Sequence, residues 1–288
     1  MKVFITGASG FIGSALVKEL IGAGHKVLGL ARSEASAKLL TAAGAEVHKG
    51  TLEDIKSLER GAQKADAVVH LAFYHDFSKF AEAAELDRLA IEALGSELTG
   101  SDRPLVITSG IGPRNGGQVA TEDTDAIPNP RLPRVSEPAA LALLARGVHV
   151  SVVRLPQVHN QAKHGLVSGL IGIAQAKGVS AYIDNGLNRW AAVHVLDAAH
   201  LYRLVLEKGA TGSKYHAVGE EGVHLKDIAE AIGRRLKLPV ICKSKEEAAT
   251  HFGWLAMPAG TDMPASSALT QELLNWHPTH TGMIPDIG

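Results

Sequence analysis

The chain has 288 residues, 45% of them hydrophobic and 20% charged, a composition that is typical of a globular protein and excludes a disordered or fibrous one. Its 29 lysine and arginine residues against 30 aspartate and glutamate residues give a formal net charge of −1, so no basic field is present to bind a nucleic acid or an anionic membrane. Cys242 is the only cysteine and no apolar run reaches the roughly 20 residues that cross a bilayer, so we expect a cytoplasmic protein without disulfides.

Strand and helix patterns alternate through the first half of the chain, which is typical of a parallel sheet covered by helices on both faces. The predicted strands are Val3–Thr6, Val27–Leu30, Glu46–Lys49, Ala67–Ala72, Leu105–Thr108 and Val148–Arg154. The predicted helices between them are Ser14–Ala23, Glu34–Ala43, Ile55–Gly61, Lys79–Leu98 and Ala139–Ala145.

The regular alternation ends after Leu155-Pro156, where glycines interrupt short apolar runs without a steady period. Further helices are predicted at Leu196–Leu206, Leu225–Leu236 and Ser267–Asn275. A second region of the molecule therefore begins near residue 156.

A glycine-rich segment lies between the first strand and the first helix. Thr6–Gly13 has the spacing G-x-x-G-x-x-G: Gly7 permits a sharp exit from the strand, Gly10 lets backbone N–H groups approach a pyrophosphate, and Gly13 lets the helix pack on the sheet. The helix N-terminus adds partial positive charge. The alternative is a glycine-rich turn that binds nothing. The residues assigned to dinucleotide binding are Gly7, Ser9, Gly10, Phe11, Ile12 and Gly13.

The end of the second strand indicates which dinucleotide binds. Enzymes that use NAD place an acidic residue there for the ribose 2′-hydroxyl, whereas NADP enzymes offer arginine and hydroxyl groups to the 2′-phosphate. This chain has Arg32-Ser33 at that point. We predict NADP, with NAD as the alternative, because arginine forms charge-assisted bonds with phosphate. Otherwise Arg32 is a solvated loop residue.

These patterns predict an α/β fold, a Rossmann doubly wound parallel sheet with a smaller carboxy-terminal substrate-binding region. Residues 1–155 are predicted to form the NAD(P)-binding domain, rejoined by residues at about 187–210, and residues 156–288 mainly the substrate-binding region.

Several stretches of the chain together resemble the short-chain dehydrogenase/reductase superfamily. Within it, the resemblance is to the extended or atypical branch that includes the NAD-dependent epimerase/dehydratases, and it runs nearly from end to end. The stretches that carry it are Thr6–Gly13, Gly50–Asp54, Asp66–Ala72, Ile107–Gly110, Val152–Pro156, Val193–Ala199 and Gly212–Val218.

The resemblance implies positions for further site residues. Thr51 and Leu52 would lie near the adenine, and Leu71, Ala72 and Phe73 would line the cofactor cleft. Thr108 or Ser109 would occupy the position of the catalytic serine or threonine.

Family members then use Tyr-x-x-x-Lys on the following helix, and this chain has no such motif. The corresponding stretch, residues 127–138, contains four prolines, so the helix is predicted to begin near residues 134–136. Arg131 or Arg134 could replace the lysine as a fixed positive charge. Arginine is a poor proton donor because it stays protonated, so the general acid is unidentified.

Three residues of the second region are candidates for substrate contacts. His159 follows the sixth strand at the edge where α/β proteins bind ligands, and could transfer a proton. Trp190 could form an aromatic wall and His194 a polar contact. The alternatives are a loop histidine and packing at a domain junction. The segment 74–76, directly after the fourth strand, could contribute to the site or cap the next helix.

The function implied is an NADP(H)-dependent oxidoreductase that transfers hydride between nicotinamide and a small carbonyl or alcohol substrate. Ser109 or Thr108 would bind the oxygen and Arg131 or Arg134 would stabilise negative charge. The alternatives are a nucleotide-sugar epimerase or dehydratase, and a non-catalytic sensor that binds NAD(P). We expect no metal, because the 14 histidines have no repeated ligand spacing. Homo-oligomer formation is open.

Overall fold

The computed structural model describes residues 1–75, 79–114, 117–125 and 134–288. The described strands are β1 (Lys2–Thr6), β2 (Lys26–Ala31), β3 (Glu46–Lys49), β4 (Ala67–His70), β5 (Leu105–Gly110), β6 (Val150–Leu155), β7 (Gln157–Asn160), β8 (Lys163–His164), β9 (Ser180–Ile183), β10 (Arg189–His194), β11 (Lys214–His216), β12 (Glu220–His224) and β13 (Val240–Lys243). The described helices are α1 (Phe11–Gly22), α2 (Glu34–Ala42), α3 (Ile55–Gln63), α4 (Phe80–Ser96), α5 (Ser136–Ala142), α6 (Val167–Lys177), α7 (Val195–Lys208), α8 (Leu225–Leu236), α9 (Lys245–Phe252), α10 (Ala256–Ala259), α11 (Ala268–Leu274) and α12 (Met283–Ile287).

The main sheet is parallel throughout and runs in the order β11-β6-β5-β4-β1-β2-β3. Strand β1 lies inside the sheet between β4 and β2, with Thr6 at its end paired to His70 at the end of β4. Strands β2 and β3 follow on one side of β1. The chain then crosses to the other side of β1, where β4, β5 and β6 follow in order. Such a switch point opens a crevice beyond the carboxyl ends of the strands, which is where ligands bind in this architecture. The Rossmann-type α/β fold is confirmed.

The sheet is covered on both faces because its strands are apolar on both faces. Val3 and Ile5 of β1 belong to the core that contains α1 and α7, whereas Phe4 belongs to the core that contains α3 and α4. A Cβ at Gly61 of α3 would lie 2.3 Å from the Phe4 ring, so only glycine allows this helix to pack so closely. The two cores together hold the carboxyl edge of the sheet rigid.

The second region is built on two smaller sheets, one in the order β12-β10-β7-β8 and one of β13 and β9. Helices α6, α8 and α9 pack on them around a separate apolar core. Strand β11 returns to the main sheet beside β6, and α7 packs on α1. The division at residue 155 stays a prediction.

The structure corrects several boundaries. Helix α1 begins at Phe11, three residues earlier than predicted, because Gly10 is its N-cap. The loop expected around His159 is strand β7, which pairs with β10 and β8. The segment that glycines appeared to break contains helix α6, in which Gly169 and Gly172 are accommodated. None of the described helices combines the length and the apolar composition that a membrane crossing needs.

The end of the chain is anchored in the main core by Trp276. Its ring is fully buried and its Nε1 donates to the Asp197 backbone oxygen over 3.1 Å. We expect Trp276→Ala to lower the free energy of unfolding by about 3–5 kcal/mol, because it leaves a large cavity. Urea unfolding measures this, with the 67% exposed Leu273 changed to alanine as the control. Equal, small losses in both variants would contradict the assignment.

Candidate functional site

The segment Thr6–Gly13, here called the phosphate loop, turns tightly between β1 and α1. Gly7 has a φ of +70°, and a Cβ there would lie 2.8 Å from the Ala72 nitrogen. A Cβ at Gly13 would lie 2.1 Å from the Gly7 oxygen. The loop therefore requires glycine at both positions, and it rests directly on the segment that follows β4.

The start of α1 offers hydrogen-bond donors that no described residue uses. The N–H groups of Phe11, Ile12 and Gly13 have no carbonyl one helical turn earlier. Among the described residues no side chain caps them, and the first turn has no acidic residue. Free N–H groups at the positive end of a helix dipole match the chemistry of a pyrophosphate. The phosphate loop thus fits a dinucleotide.

Arg32 lies exposed at the end of β2, with its guanidinium 5.6 Å from the centroid of the Tyr74 ring. The Tyr74 hydroxyl donates to Glu53 over 3.3 Å. A hydrogen bond from Thr51 is the main cause that lowers the pKa of Glu53, and Tyr74 and the Arg32 charge add to it. Glu53 was not singled out from the sequence, since an acid four residues after a strand is common in solvated loops.

Ser33 has a structural task beside Arg32. It is the N-cap of α2, and its Oγ accepts a hydrogen bond from the Ser36 backbone nitrogen in a capping box. Thr51 is half-buried and Leu52 is buried behind it. Their roles toward a cofactor stay predictions.

A chain of buried polar groups joins the phosphate loop to Arg134. Thr6 Oγ1 is hydrogen-bonded to His70 Nδ1 over 2.7 Å, and His70 Nε2 to Asp87 Oδ1 over 3.1 Å. The other Asp87 oxygen accepts from the Ser136 hydroxyl over 2.5 Å. Ser136 Oγ accepts in turn from Arg134 Nε over 2.7 Å. Each of these groups except Arg134 is buried, so the chain is shielded from water.

The charge of Asp87 is stabilised by its partners. Burial acts to raise the pKa of this carboxyl, but the hydrogen bond and charge of His70, followed by Arg134 and Ser136, outweigh it and leave the pKa lowered. Burial lowers the pKa of the Arg134 guanidinium, although arginine remains protonated at neutral pH. The sequence analysis did not identify Asp87. The signal that could have identified it is the position of a carboxylate on the apolar face of α4, which includes Ala83 and Ala90.

Arg134 is fixed by further contacts at the carboxyl end of β5. Its Nη2 donates to the Thr108 backbone oxygen over 3.1 Å, and its guanidinium lies 4.2 Å from the centroid of the Phe73 ring. Phe73 follows Leu71 and Ala72, both hydrogen-bonded to Thr6. A cation is therefore held beside the segment on which the phosphate loop rests.

Thr108 and Ser109 differ in availability. The Thr108 hydroxyl donates to the His70 backbone oxygen over 2.8 Å and lies 2.7 Å from the hydroxyl of Tyr202. Since Thr108 is buried and engaged, the expectation that it binds a substrate oxygen is corrected. Ser109 is half-buried, and its hydroxyl makes no hydrogen bond within the described part of the chain. It stays the predicted oxygen-binding residue.

His159 does not face a substrate in this structure. The side chain has no exposed surface, and its Nδ1 lies 2.7 Å from Asp286 Oδ2. The reason is that β7 is an inner strand of its sheet and α12 covers it. The expected proton transfer by His159 is therefore corrected to a buried packing contact.

Trp190 is also a core residue. It is 1% exposed, and its Nε1 donates to the Pro258 oxygen over 3.3 Å. It packs in the apolar core of the second region, so the aromatic wall expected from the sequence is corrected to packing. Arg131 and Asp76 lie outside the described residues.

His194 caps α7 and is part of a cluster with Asp197 and His280. Its Nδ1 accepts from the Leu196 nitrogen over 3.3 Å, and its ring stacks on His280 with centroids 4.8 Å apart. The spacing of the three side chains would suit a metal ion. The Asp197 carboxylate, however, already accepts from the nitrogens of Thr279 and His280 and from His280 Nδ1. The cluster thus anchors the end of the chain, and the expected substrate contact of His194 stays untested.

We expect Asp87→Ala to lower the free energy of unfolding by about 3 kcal/mol at pH 7, because it removes the buried partner of His70 Nε2 and the acceptor of the Ser136 hydroxyl. Because the pKa of Asp87 is below its usual 3.8, its contribution is complete above that pH and is lost as the pH falls through the lowered pKa. Urea unfolding at pH 7 and at about pH 3 measures the difference between the wild type and Asp87→Ala. The exposed Asp102→Ala serves as control, and a difference that grew toward acid would contradict the account.

Comparison with known proteins identifies the family. The model of the NAD dependent epimerase/dehydratase family matches residues 3–90. An uncharacterized protein of Schizosaccharomyces pombe is 49% identical over 290 residues, which cover 100% of this chain and 98% of that protein. The decarboxylating sterol-4-alpha-carboxylate 3-dehydrogenase of Dictyostelium discoideum is 30% identical over 242 residues, which cover 78% of this chain and 73% of the dehydrogenase.

Solved structures show the same fold. The dTDP-glucose 4,6-dehydratase of Streptomyces venezuelae with NAD and TYD bound has a TM-score of 0.78 at 19% identity, covering 100% of this chain and 96% of that one. The chain therefore belongs to the NAD-dependent epimerase/dehydratase family, in the extended branch of the short-chain dehydrogenases/reductases, and is an NAD(P)-dependent oxidoreductase.

Proposed function

We propose that the protein uses NADP(H) to transfer hydride between the nicotinamide and the carbonyl or alcohol carbon of a small molecule. The observation that carries this proposal is the position of Arg134, a cation that Asp87 holds through Ser136 and that donates to the backbone oxygen of Thr108, the residue before Ser109. A carbonyl that accepts hydride develops negative charge on its oxygen. A fixed guanidinium and a hydroxyl at one place are suited to stabilise that charge.

The residues of this chain would share the work in a definite way. The N–H groups of the phosphate loop would hold the pyrophosphate, and the bound cofactor would supply or accept the hydride. Ser109 would hydrogen-bond the substrate oxygen, and the proton that completes the alcohol after hydride transfer would come from solvent water. Arg134 would stabilise the charge on that oxygen, while the Phe73 ring beneath the guanidinium would exclude water from one side.

The preference for NADP is supported by the surroundings of Arg32. No ion pair engages its guanidinium among the described residues, and it lies over Tyr74. Glu53 interacts with Arg32 through charge, and the two side chains form no ion pair among the described residues. The arginine is therefore oriented and still available to a 2′-phosphate.

The alternative of a nucleotide-sugar epimerase or dehydratase is not favoured, because no tyrosine stands in for that of the family. Tyr202 is fully buried, and burial raises its pKa. Tyr215 is buried and its hydroxyl accepts from the Ala210 nitrogen. Tyr74 contacts Arg32, and Tyr182 lies in β9 of the second region.

Arg32→Ala tests the choice of cofactor. We expect the Kd of NADPH to rise roughly 10- to 100-fold, because a charge-assisted contact with the 2′-phosphate is lost, and the Kd of NADH to change little. Fluorescence titration measures both. Lys26→Ala, which removes the same charge from the opposite end of β2, is the matched control. Equal losses for the two cofactors would refute the NADP assignment.

Arg134→Met tests the proposed chemistry. We expect kcat for carbonyl reduction to fall roughly 100- to 1,000-fold, as for loss of one oxyanion-stabilising group, while the Kd of NADPH stays within a few-fold. NADPH consumption with a panel of aldehydes and ketones gives the rates, and exposed Arg146→Met is the control. Tight NADPH binding by the wild type without consumption on any of the panel would instead indicate a sensor.

A further inference from the structure

We propose that Lys163, on the hairpin of β7 and β8, binds the cofactor pyrophosphate together with the start of α1, and that the carboxy-terminal helix α12 positions it. The inference rests on the proposed function, since it concerns the dinucleotide that the phosphate loop would hold. It adds a binding residue from the second region to a site built otherwise from the main sheet.

Lys163 brings a positive charge to the start of α1. Its Nζ lies 5.4 Å from the centroid of the Phe11 ring, and Phe11 is the first residue of that helix. Among the described residues no carboxylate forms an ion pair with Lys163, and the first turn of α1 has no acidic residue. An ammonium group thus lies over the side chain of the first residue of α1, and the described residues supply no anion to either group. An anionic ligand would satisfy both.

The neighbourhood of Lys163 is positive on its other side as well. Burial is the main cause that lowers the pKa of His75, and the charges of Arg134 and Lys163 lower it further. Lys163 and Arg134 therefore act on the same segment after β4, from different parts of the molecule.

The backbone of Lys163 is held in place by the turn of the hairpin. Asn160 Oδ1 accepts hydrogen bonds from the nitrogens of Ala162 and Lys163, each over 2.9 Å. His159 pairs with His164 across the two strands. The backbone of Lys163 is thus held by hydrogen bonds within a short hairpin, whereas its long side chain can change rotamer.

Helix α12 fastens this hairpin through Asp286. The Asp286 carboxylate binds His159 Nδ1 over 2.7 Å, and its backbone oxygen accepts from His164 Nε2 over 3.1 Å. The helix itself is held by Arg235, whose Nη1 donates to the Ile287 oxygen over 3.0 Å. The last residues of the chain therefore determine where Lys163 stands, although they lie in another region from the phosphate loop.

Lys163→Met tests the binding role by titration without turnover. We expect the Kd values of NADPH, NADH and ADP-ribose to rise by the same factor, roughly tenfold, because all three carry the pyrophosphate. The Kd of 2′-AMP, which lacks it, should not change. Lys163→Arg should stay close to wild type, and Lys177→Met at the exposed end of α6 is the matched control. Higher salt should shrink the effect.

Unchanged affinity of Lys163→Met for ADP-ribose would overturn the proposal, and so would an equal loss of 2′-AMP affinity. A rise in the substrate KM alone would assign the lysine to a substrate anion and overturn it likewise. If the wild type bound none of the dinucleotides, the proposed function itself would fail. That result differs from one in which the wild type and Lys163→Met bind the dinucleotides equally well, which would contradict only the role of Lys163.

Asp286→Asn tests the positioning role. We expect it to weaken ADP-ribose binding in the wild-type background and to have little further effect when Lys163 is already methionine. A merely structural loss would weaken both backgrounds by the same factor. That additive result would overturn the positioning role of α12.

Discussion

The burial of one carboxylate fixes the arrangement of the site. Asp87 is 1% exposed, and a lone carboxylate at such a position would be costly, so both oxygens require hydrogen-bond partners. The partners come from the end of β4 and the start of α5. Through Ser136 the same bonds orient Arg134, and through His70 they reach Thr6 at the root of the phosphate loop. The hydrogen bonds that stabilise one buried carboxylate therefore also connect Arg134 to the phosphate loop.

Local patterns were sufficient to predict the nucleotide-binding half of the molecule, and less so the rest. The spacing of Gly7, Gly10 and Gly13 and the alternation of apolar strands correspond to the observed main sheet within a few residues. The fold around β7 was not predictable in this way, because its partner β10 lies some thirty positions along the chain and leaves no periodic signal. Likewise, no local pattern in the sequences of α4 and α5 predicts the hydrogen bond between Ser136 and Asp87.

Burial explains why two of the three substrate candidates of the second region, His159 and Trp190, were misread. A histidine that follows a strand at the ligand edge can face either the crevice or the core, and both readings suit the sequence around His159. The deciding partner, Asp286, lies 127 positions away near the end of the chain. The local sequence likewise did not identify Lys163 as a candidate residue. Lys163 is exposed, and only the folded chain places its ammonium group over the Phe11 ring. The net charge of −1 gives no sign of three cations, Arg32, Arg134 and Lys163, that form no ion pair among the described residues.

A crystal structure of the protein with NADP⁺ would test the central claim most directly. That claim is that the phosphate loop and Arg134 belong to one site. The account predicts the pyrophosphate on the N–H groups of Phe11 and Ile12, the 2′-phosphate at Arg32, and the nicotinamide next to Ser109 and Arg134. A nicotinamide remote from both Ser109 and Arg134, with the pyrophosphate in the same place, would contradict it.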